Sequence, residues 1–364
     1  MHLSAYTFDM QDPSDVAGLR ALLDEGHERP EDLLAVIGKT EGNGGRNDFT
    51  RALAMQSLEH LMAPRLGLSP ERVQDHVIFS FSGGVEGVVT PHQIAFFRHG
   101  APDRVRRDRK RLGVAIAYTR AFKPEEIGRV AQVEETARAI RQAIDELGVD
   151  ELTDVHLVQM KGAIPSFSPE EAARAAAQGS PLRCDMVWSR AASALGTALA
   201  LGEVPPERLS DEVICSDWDL YSSVASCSAK PGLERTEIVV FAMSPYWDGD
   251  LVIDHGVLTD LLDAEGVRAV LRRLGVNPDD PSALRSRLVA AFAKSEADPR
   301  GTVRGRRHTM LQDDDIGDTR YSRCVLAAVI ASVLGDTRVY VSTRAEHHGP
   351  LGGGPLALIL REPH

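Results

Sequence analysis

Three kinds of residue able to do chemistry recur in the same order three times along this chain. A lysine follows an apolar run, an aromatic–hydroxyl–arginine triplet comes next, and a serine ends a β-rich run. The lysines are Lys39, Lys161 and Lys294, and the serines are Ser82, Ser228 and Ser342. The triplets are Phe49-Thr50-Arg51, Trp188-Ser189-Arg190 and Tyr321-Ser322-Arg323. A serine hydroxyl is a poor nucleophile until a base takes its proton, and a neutral lysine can be that base. Burial and nearby cations lower an amine's pKa. One arginine per copy supplies such a surrounding while donating paired hydrogen bonds to carbonyl oxygens. Backbone N–H groups beside each serine, as in the Gly83-Gly84 turn, can receive charge developing on a carbonyl oxygen. One such donor is worth roughly 3 kcal/mol in the transition state. A ring with repeated C=O and N–H groups is the natural cargo for three sets meeting at one centre.

Such sets meet only if similar elements carry them. Each copy begins with a predicted strand and an amphipathic helix: Leu3 to Phe8 with Ser14 to Glu25, Val114 to Tyr118 with Pro124 to Leu147, and Leu251 to Asp254 with Ala264 to Leu274. A second strand then leads to the lysine (Leu33 to Ile37, Val155 to Met160, Leu288 to Ala293), and the triplet opens an alanine-rich helix. The runs Val77 to Phe81, Ser223 to Cys227 and Arg338 to Val341 end at the serines, and a closing strand follows in each copy. The expected fold is α/β, with three similar α/β units around a pseudo-threefold axis and the active site at its centre. The units span residues 1–104, 112–249 and 251–364. The basic run from Asp103 to Arg111 is read as a solvated linker.

The 364 residues carry 41 basic and 53 acidic side chains, a net charge of −12, which argues against a nucleic-acid surface. An anionic substrate would need local arginines, and the triplets supply them. The amino-terminal residues Met1 to Tyr6 lack the basic and apolar regions of a signal peptide, and the apolar run Val325 to Leu334 is too short to span a bilayer. Four cysteines without a Cys-x-x-Cys pair read as reduced thiols in a cytoplasmic protein.

Several motifs lead elsewhere and are set aside. Gly38-Lys39-Thr40 suggests a phosphate loop, but Leu33 stands where that motif needs glycine. The run Gly352-Gly353-Gly354-Pro355 reads as a backbone turn. The 12 histidines show no metal-ligand spacing, so His347 and His348 are expected to be solvated, with a role as loop ligands the alternative. Asp313-Asp314-Asp315 reads as an acidic helix N-terminus.

Longer stretches around these residues resemble the cyanuric acid amidohydrolase/barbiturase family of ring-opening cyclic amide hydrolases. They are Gly38 to Gly44 with Asn47-Asp48, Ser82 to Val88 with Pro91-His92, Ser193 to Gly196, Ser222 to Ser226, Arg307 to Leu311, and Ala345 to His347 with Gly349-Pro350. The resemblance covers all three units. It implies an active site on the axis, three Ser-Lys pairs, no catalytic cofactor or metal, and a homo-oligomer without nucleic-acid or membrane partners. It implies that the second pair performs the chemistry, with Lys161 as base and Ser228 as nucleophile, Ser226 being the nearby competitor. Arg51, Ser82, Gly83, Arg190, Ser228, Ala229, Arg323, Ser342 and Thr343 would bind a cyclic imide, and Lys39 and Lys294 would support them. It further implies a structural magnesium site at Glu296, Ala345, His348, Pro350 and Gly353.

The chain departs from the family pattern at Ser342-Thr343-Arg344, in the longer stretch Ser228 to Glu234, and at His348 in place of glutamine. Retention of Arg190 resembles the branch that opens cyanuric acid to carboxybiuret, which then loses CO2 to give biuret. Barbiturate or another cyclic imide is the alternative substrate, and a binding protein without turnover is the alternative class.

Overall fold

The computed structural model describes residues 1–45, 47–84, 87–100, 105–310 and 317–363. The acidic run Asp313-Asp314-Asp315, residues 103–104 of the first joint, Val85-Glu86 and Leu311 lie outside the described residues.

The first segment contains β1 (His2–Asp9), α1 (Ala17–Asp24), β2 (Leu33–Thr40), α2 (Thr50–Leu66), α3 (Pro70–Val73), β3 (Ile78–Gly83) and β4 (His92–His99). The second contains β5 (Arg111–Tyr118), α4 (Val130–Leu147), β6 (Val155–Ile164), α5 (Pro169–Ala177), α6 (Met186–Leu201), β7 (Ala225–Pro231) and β8 (Glu237–Ser244). The third contains β9 (Leu251–Leu258), α7 (Ala264–Arg273), α8 (Pro281–Arg287), β10 (Leu288–Lys294), the hairpin strands β11 (Thr302–Val303) and β12 (Arg306–Arg307), α9 (Asp318–Leu334), β13 (Tyr340–Ser342) and β14 (Gly354–Arg361).

One sheet plan recurs. The strand orders are β1-β4-β2-β3, β5-β8-β6-β7 and β9-β14-β10-β13, so no four-stranded sheet borrows a strand from another segment. In each, the lysine strand runs parallel to the serine strand and antiparallel to the closing strand. The lysine strand meets its closing strand with a register shift near its start in all three copies, at Leu33/Ala35, Val155/Leu157 and Leu288/Ala290.

The lysine strands are apolar with little alternation because both faces are covered. Helices cover one face, as with Leu19, Leu58 and Phe79 in the first segment and Val270, Leu326 and Leu358 in the third. The other faces meet in one shared core containing Ile37, Phe96, Phe241, Phe292 and Tyr340. Ring centroids link the sheets, with Phe96–Phe241 at 5.1 Å and Phe241–Phe292 at 5.9 Å. Each large apolar side chain so buried is worth about 1.5–3 kcal/mol.

The structure departs from expectation at several element ends. The helix expected over Pro124 to Leu147 is a 3-10 turn at Pro124–Glu126 followed by α4, broken by Gly128 at φ +70°. α6 and α9 begin before their arginine triplets, at Met186 and Asp318. In α6 the Asp185 carboxylate accepts the N–H groups of Val187 and Trp188, at 2.8 and 3.0 Å, and so fixes the earlier start. β7 continues past Ser228 to Pro231. No helix among the described residues is long and apolar enough to cross a membrane.

Candidate active site

Register sets the geometry. Lys39 lies directly beside Ser82, Lys161 beside Ser228, and Lys294 beside Ser342 on the three parallel strand pairs. Side chains at paired positions project to the same face of a sheet, so each lysine shares a face with its serine. Each amine also reaches another sheet. Lys161 Nζ donates to the Phe81 carbonyl at 2.6 Å, Lys39 Nζ to the Val341 carbonyl at 2.7 Å, and Lys294 Nζ to the Cys227 carbonyl. Every acceptor is the residue before a serine. The second sheet reaches the first, the first reaches the third, and the third reaches the second.

The three pairs differ. Lys161 Nζ is 2.7 Å from Ser228 Oγ, whereas Lys294 Nζ is 3.3 Å from Ser342 Oγ and also donates to the Thr343 carbonyl at 3.0 Å. Burial, with Arg51 next in weight, lowers the Lys161 pKa to about 7. Burial and Arg190 lower Lys294 to about 7 as well, so acidity does not separate the two. Access does. A cavity of about 610 Å³ is lined by Ser82, Ser228, Ser342 and Lys161, but by neither Lys39 nor Lys294.

Arg51, Arg190 and Arg323 line the same cavity, with Arg320 and Arg344, and no described acidic side chain lines it. This is a cationic bowl in a chain of net charge −12. The three triplet arginines are held by hydrogen bonds or an ion pair. Arg51 Nη2 donates to the Gly45 carbonyl at 2.6 Å, and Arg323 Nη1 to the Gly83 carbonyl at 3.2 Å. Arg190 makes a two-pronged pair with Glu346, at 2.9 and 2.8 Å, both side chains being buried. Burial pushes the Glu346 carboxyl up, but the Arg190 guanidinium outweighs it and holds the pKa below the usual value.

Gly83 and Thr343 line the cavity, as expected, but Ala229 does not. Ala229 packs in a small apolar cluster with Phe122, Ile127 and Cys184. The Gly84 N–H, expected to be free for a developing oxyanion, donates to the Thr40 carbonyl at 3.1 Å. Gly83 has a separate reason to be glycine, since a Cβ there would lie 1.9 Å from Asp48 Oδ2. That carboxylate accepts the N–H groups of Gly44 and Thr50, which shapes the loop before Arg51. Ser226 is paired in register with Gln159, is buried, and does not line the cavity.

Among the five residues of the implied magnesium site, the His348 ring has no nitrogen left for an ion, while the Glu296 carboxylate and the backbone carbonyls remain as oxygen donors. His348 is buried; its Nε2 accepts the Cys227 N–H at 3.0 Å, so Nδ1 carries the proton and donates to the Glu346 carbonyl at 2.6 Å. Both ring nitrogens are thereby engaged. The Ala345 and Pro350 carbonyls accept turn hydrogen bonds from His348 and Gly353, while Glu296 keeps a carboxylate whose pKa burial raises. His347, expected to be solvated, is buried too, and its Nε2 accepts the Cys215 N–H at 2.8 Å.

Glu346 lies inside the family-like stretch Ala345 to His347, yet nothing local marks it as Arg190's partner across the fold. Glu237 lies directly opposite Lys161 on β8, where the first sheet has His92 opposite Lys39. Burial raises the Glu237 pKa, and its charge raises that of Lys161.

The chain is similar over nearly its whole length to proteins named as cyclic amide hydrolases. The chain is 46% identical to the cyanuric acid amidohydrolase of Pseudomonas sp. (strain ADP), over 99% of each chain. It is 42% identical to a cyclic amide hydrolase of Azorhizobium caulinodans, over 99% of this chain and 100% of that one. A solved cyanuric acid hydrolase, described as an evolutionary innovation by structural concatenation, superposes with a TM-score of 0.91 at 45% identity over 99% of both chains. The amidohydrolase ring-opening protein family matches residues 4–361, and the chain belongs to that family.

Proposed function

We propose that this protein hydrolyses cyanuric acid, opening its ring to carboxybiuret, with Ser228 as nucleophile and Lys161 as general base. The observation that carries the assignment is that Lys161 alone of the three lysines lines the cavity, 2.7 Å from Ser228 Oγ. An amine with a pKa of about 7 is substantially neutral at physiological pH and can take the serine proton. The serine oxygen attacks a ring carbonyl, and the resulting oxyanion faces the cationic bowl. The C–N bond then breaks, and the protonated lysine returns its proton to the leaving ring nitrogen. Water, deprotonated by Lys161, hydrolyses the acyl-enzyme, and carboxybiuret departs to lose CO2 and leave biuret. Arg51, Arg190 and Arg323, with Ser82, Ser342, Gly83 and Thr343, hold the other carbonyls and N–H groups of the ring. Lys39 and Lys294 tie the sheets together behind them. No step passes through a metal ion.

The same reading takes residues 1–104, 112–249 and 251–364 as three units around a pseudo-threefold axis. It places the protein in the cytoplasm, in keeping with four unpaired cysteines, and as a homo-oligomer whose mass light scattering will report. The decisive experiment is product detection with cyanuric acid, barbiturate and other cyclic imides, for the wild type and Ser228→Ala. Biuret and CO2 from cyanuric acid are expected from the wild type, and a loss on the order of 10⁴-fold or more from the variant. Turnover of barbiturate alone would shift the substrate assignment. Binding of cyanuric acid without product would make the protein a receptor.

A further inference from the structure

We propose that His156, Asp254 and His255 form a binding site for a zinc-class divalent transition metal where the second sheet meets the third. His156 stands on β6, and Asp254 and His255 stand side by side on the edge strand β9. One nitrogen from each imidazole and one carboxylate oxygen lie within 4.8 Å of one another. The two Nδ1 atoms are 2.9 Å apart, and His156 Nδ1 is 3.5 Å from Asp254 Oδ1. Ligands at zinc-type bond lengths of 2.0–2.1 Å in a tetrahedron are separated by about 3.3 Å. The two observed spacings bracket that value, and the third pair of donors lies within 4.8 Å.

The donors are also held in place. Asp254 Oδ2 accepts from Arg273 Nε at 2.6 Å, and Oδ1 accepts the His255 N–H at 2.7 Å. Such outer contacts orient a ligating carboxylate. Two imidazoles with one carboxylate suit zinc, nickel or copper better than magnesium or calcium. The His156 and Asp254 side chains keep 13% and 17% exposure, which leaves an approach for the ion and a fourth position for water. None of the three lines the Lys161–Ser228 cavity. The ion would therefore act as a structural clip between β6, which also carries Lys161, and β9.

The test uses tag-free full-length protein stripped with a chelator. Zinc is titrated by calorimetry, and cobalt(II) by its electronic absorption. One ion per chain, a tetrahedral-type cobalt spectrum and an upward Tm shift on loading are expected. His156→Asn and His255→Gln should each abolish the stoichiometric uptake. X-ray absorption on the zinc-loaded wild type reads the ligands without any variant, and two imidazole nitrogens at about 2.0–2.1 Å support the site. Failure of the wild type to take up an ion, an all-oxygen shell, or undiminished uptake in both variants would overturn it.

Discussion

In the proposed mechanism Lys161 acts as a base only to the extent that its surroundings keep it neutral, and those surroundings pull in opposite directions. Burial and Arg51 lower its pKa, while Glu237 raises it. With a folded value of about 7, the neutral fraction grows as pH rises, so kcat/KM should climb through a limb near pH 7 and level off above it. Glu237→Gln removes the opposing charge and should move that limb to lower pH. Arg51→Gln removes a cation and should move it to higher pH, with a raised KM because Arg51 also lines the cavity. A pH–rate series on the three proteins checks both signs; equal limbs in all of them would detach Lys161 from the profile. Lys161→Met should lower kcat by roughly 10²–10⁴-fold, the usual contribution of a general base.

At the scale of elements, the recurring order of strand and helix was legible because strand cores such as Leu33 to Ile37 and glycine stops such as Gly148 are local signals. Helix starts were less so. The Asp185 cap sits ahead of its triplet, and Gly128 interrupts an otherwise helical pattern. The lysine–serine registers were implied by order alone. The partners of Arg190 and His348 were not visible at all, since they depend on which loop crosses which strand. The Arg190–Glu346 pair joins α6 to the turn after β13. Truncating Glu346 to Ala leaves a buried guanidinium without its counter-charge, which costs about 3–5 kcal/mol. A chemical-denaturation midpoint well below that of the wild type, with unchanged m-value, is the expected result.

On the scale of the whole molecule, the shared core and the lysine-to-carbonyl ring bind three sheets into one cooperative body. Residues such as Ile37, Phe96 and Phe292 are buried only because other sheets cover them. Denaturant unfolding should therefore give one transition by far-UV circular dichroism and by loss of activity alike. The segment 1–104 expressed alone should lack a cooperative melt. Separate transitions for the three segments would contradict this picture. The histidine and glutamate placed opposite Lys39 and Lys161 belong to this scale as well.

Perfect threefold equivalence would present a symmetric ring with three interchangeable docking poses and three amines competing for one proton. In this chain only one amine opens onto the bowl, and only that amine faces a carboxylate on the adjoining strand. The substrate can still arrive in any of three indistinguishable orientations, and each of them delivers a carbonyl to the same attacking oxygen. If Lys161 and Ser228 carry the reaction, symmetry in the cargo relieves the enzyme of having to orient it, while asymmetry in the scaffold decides where the bond is cut.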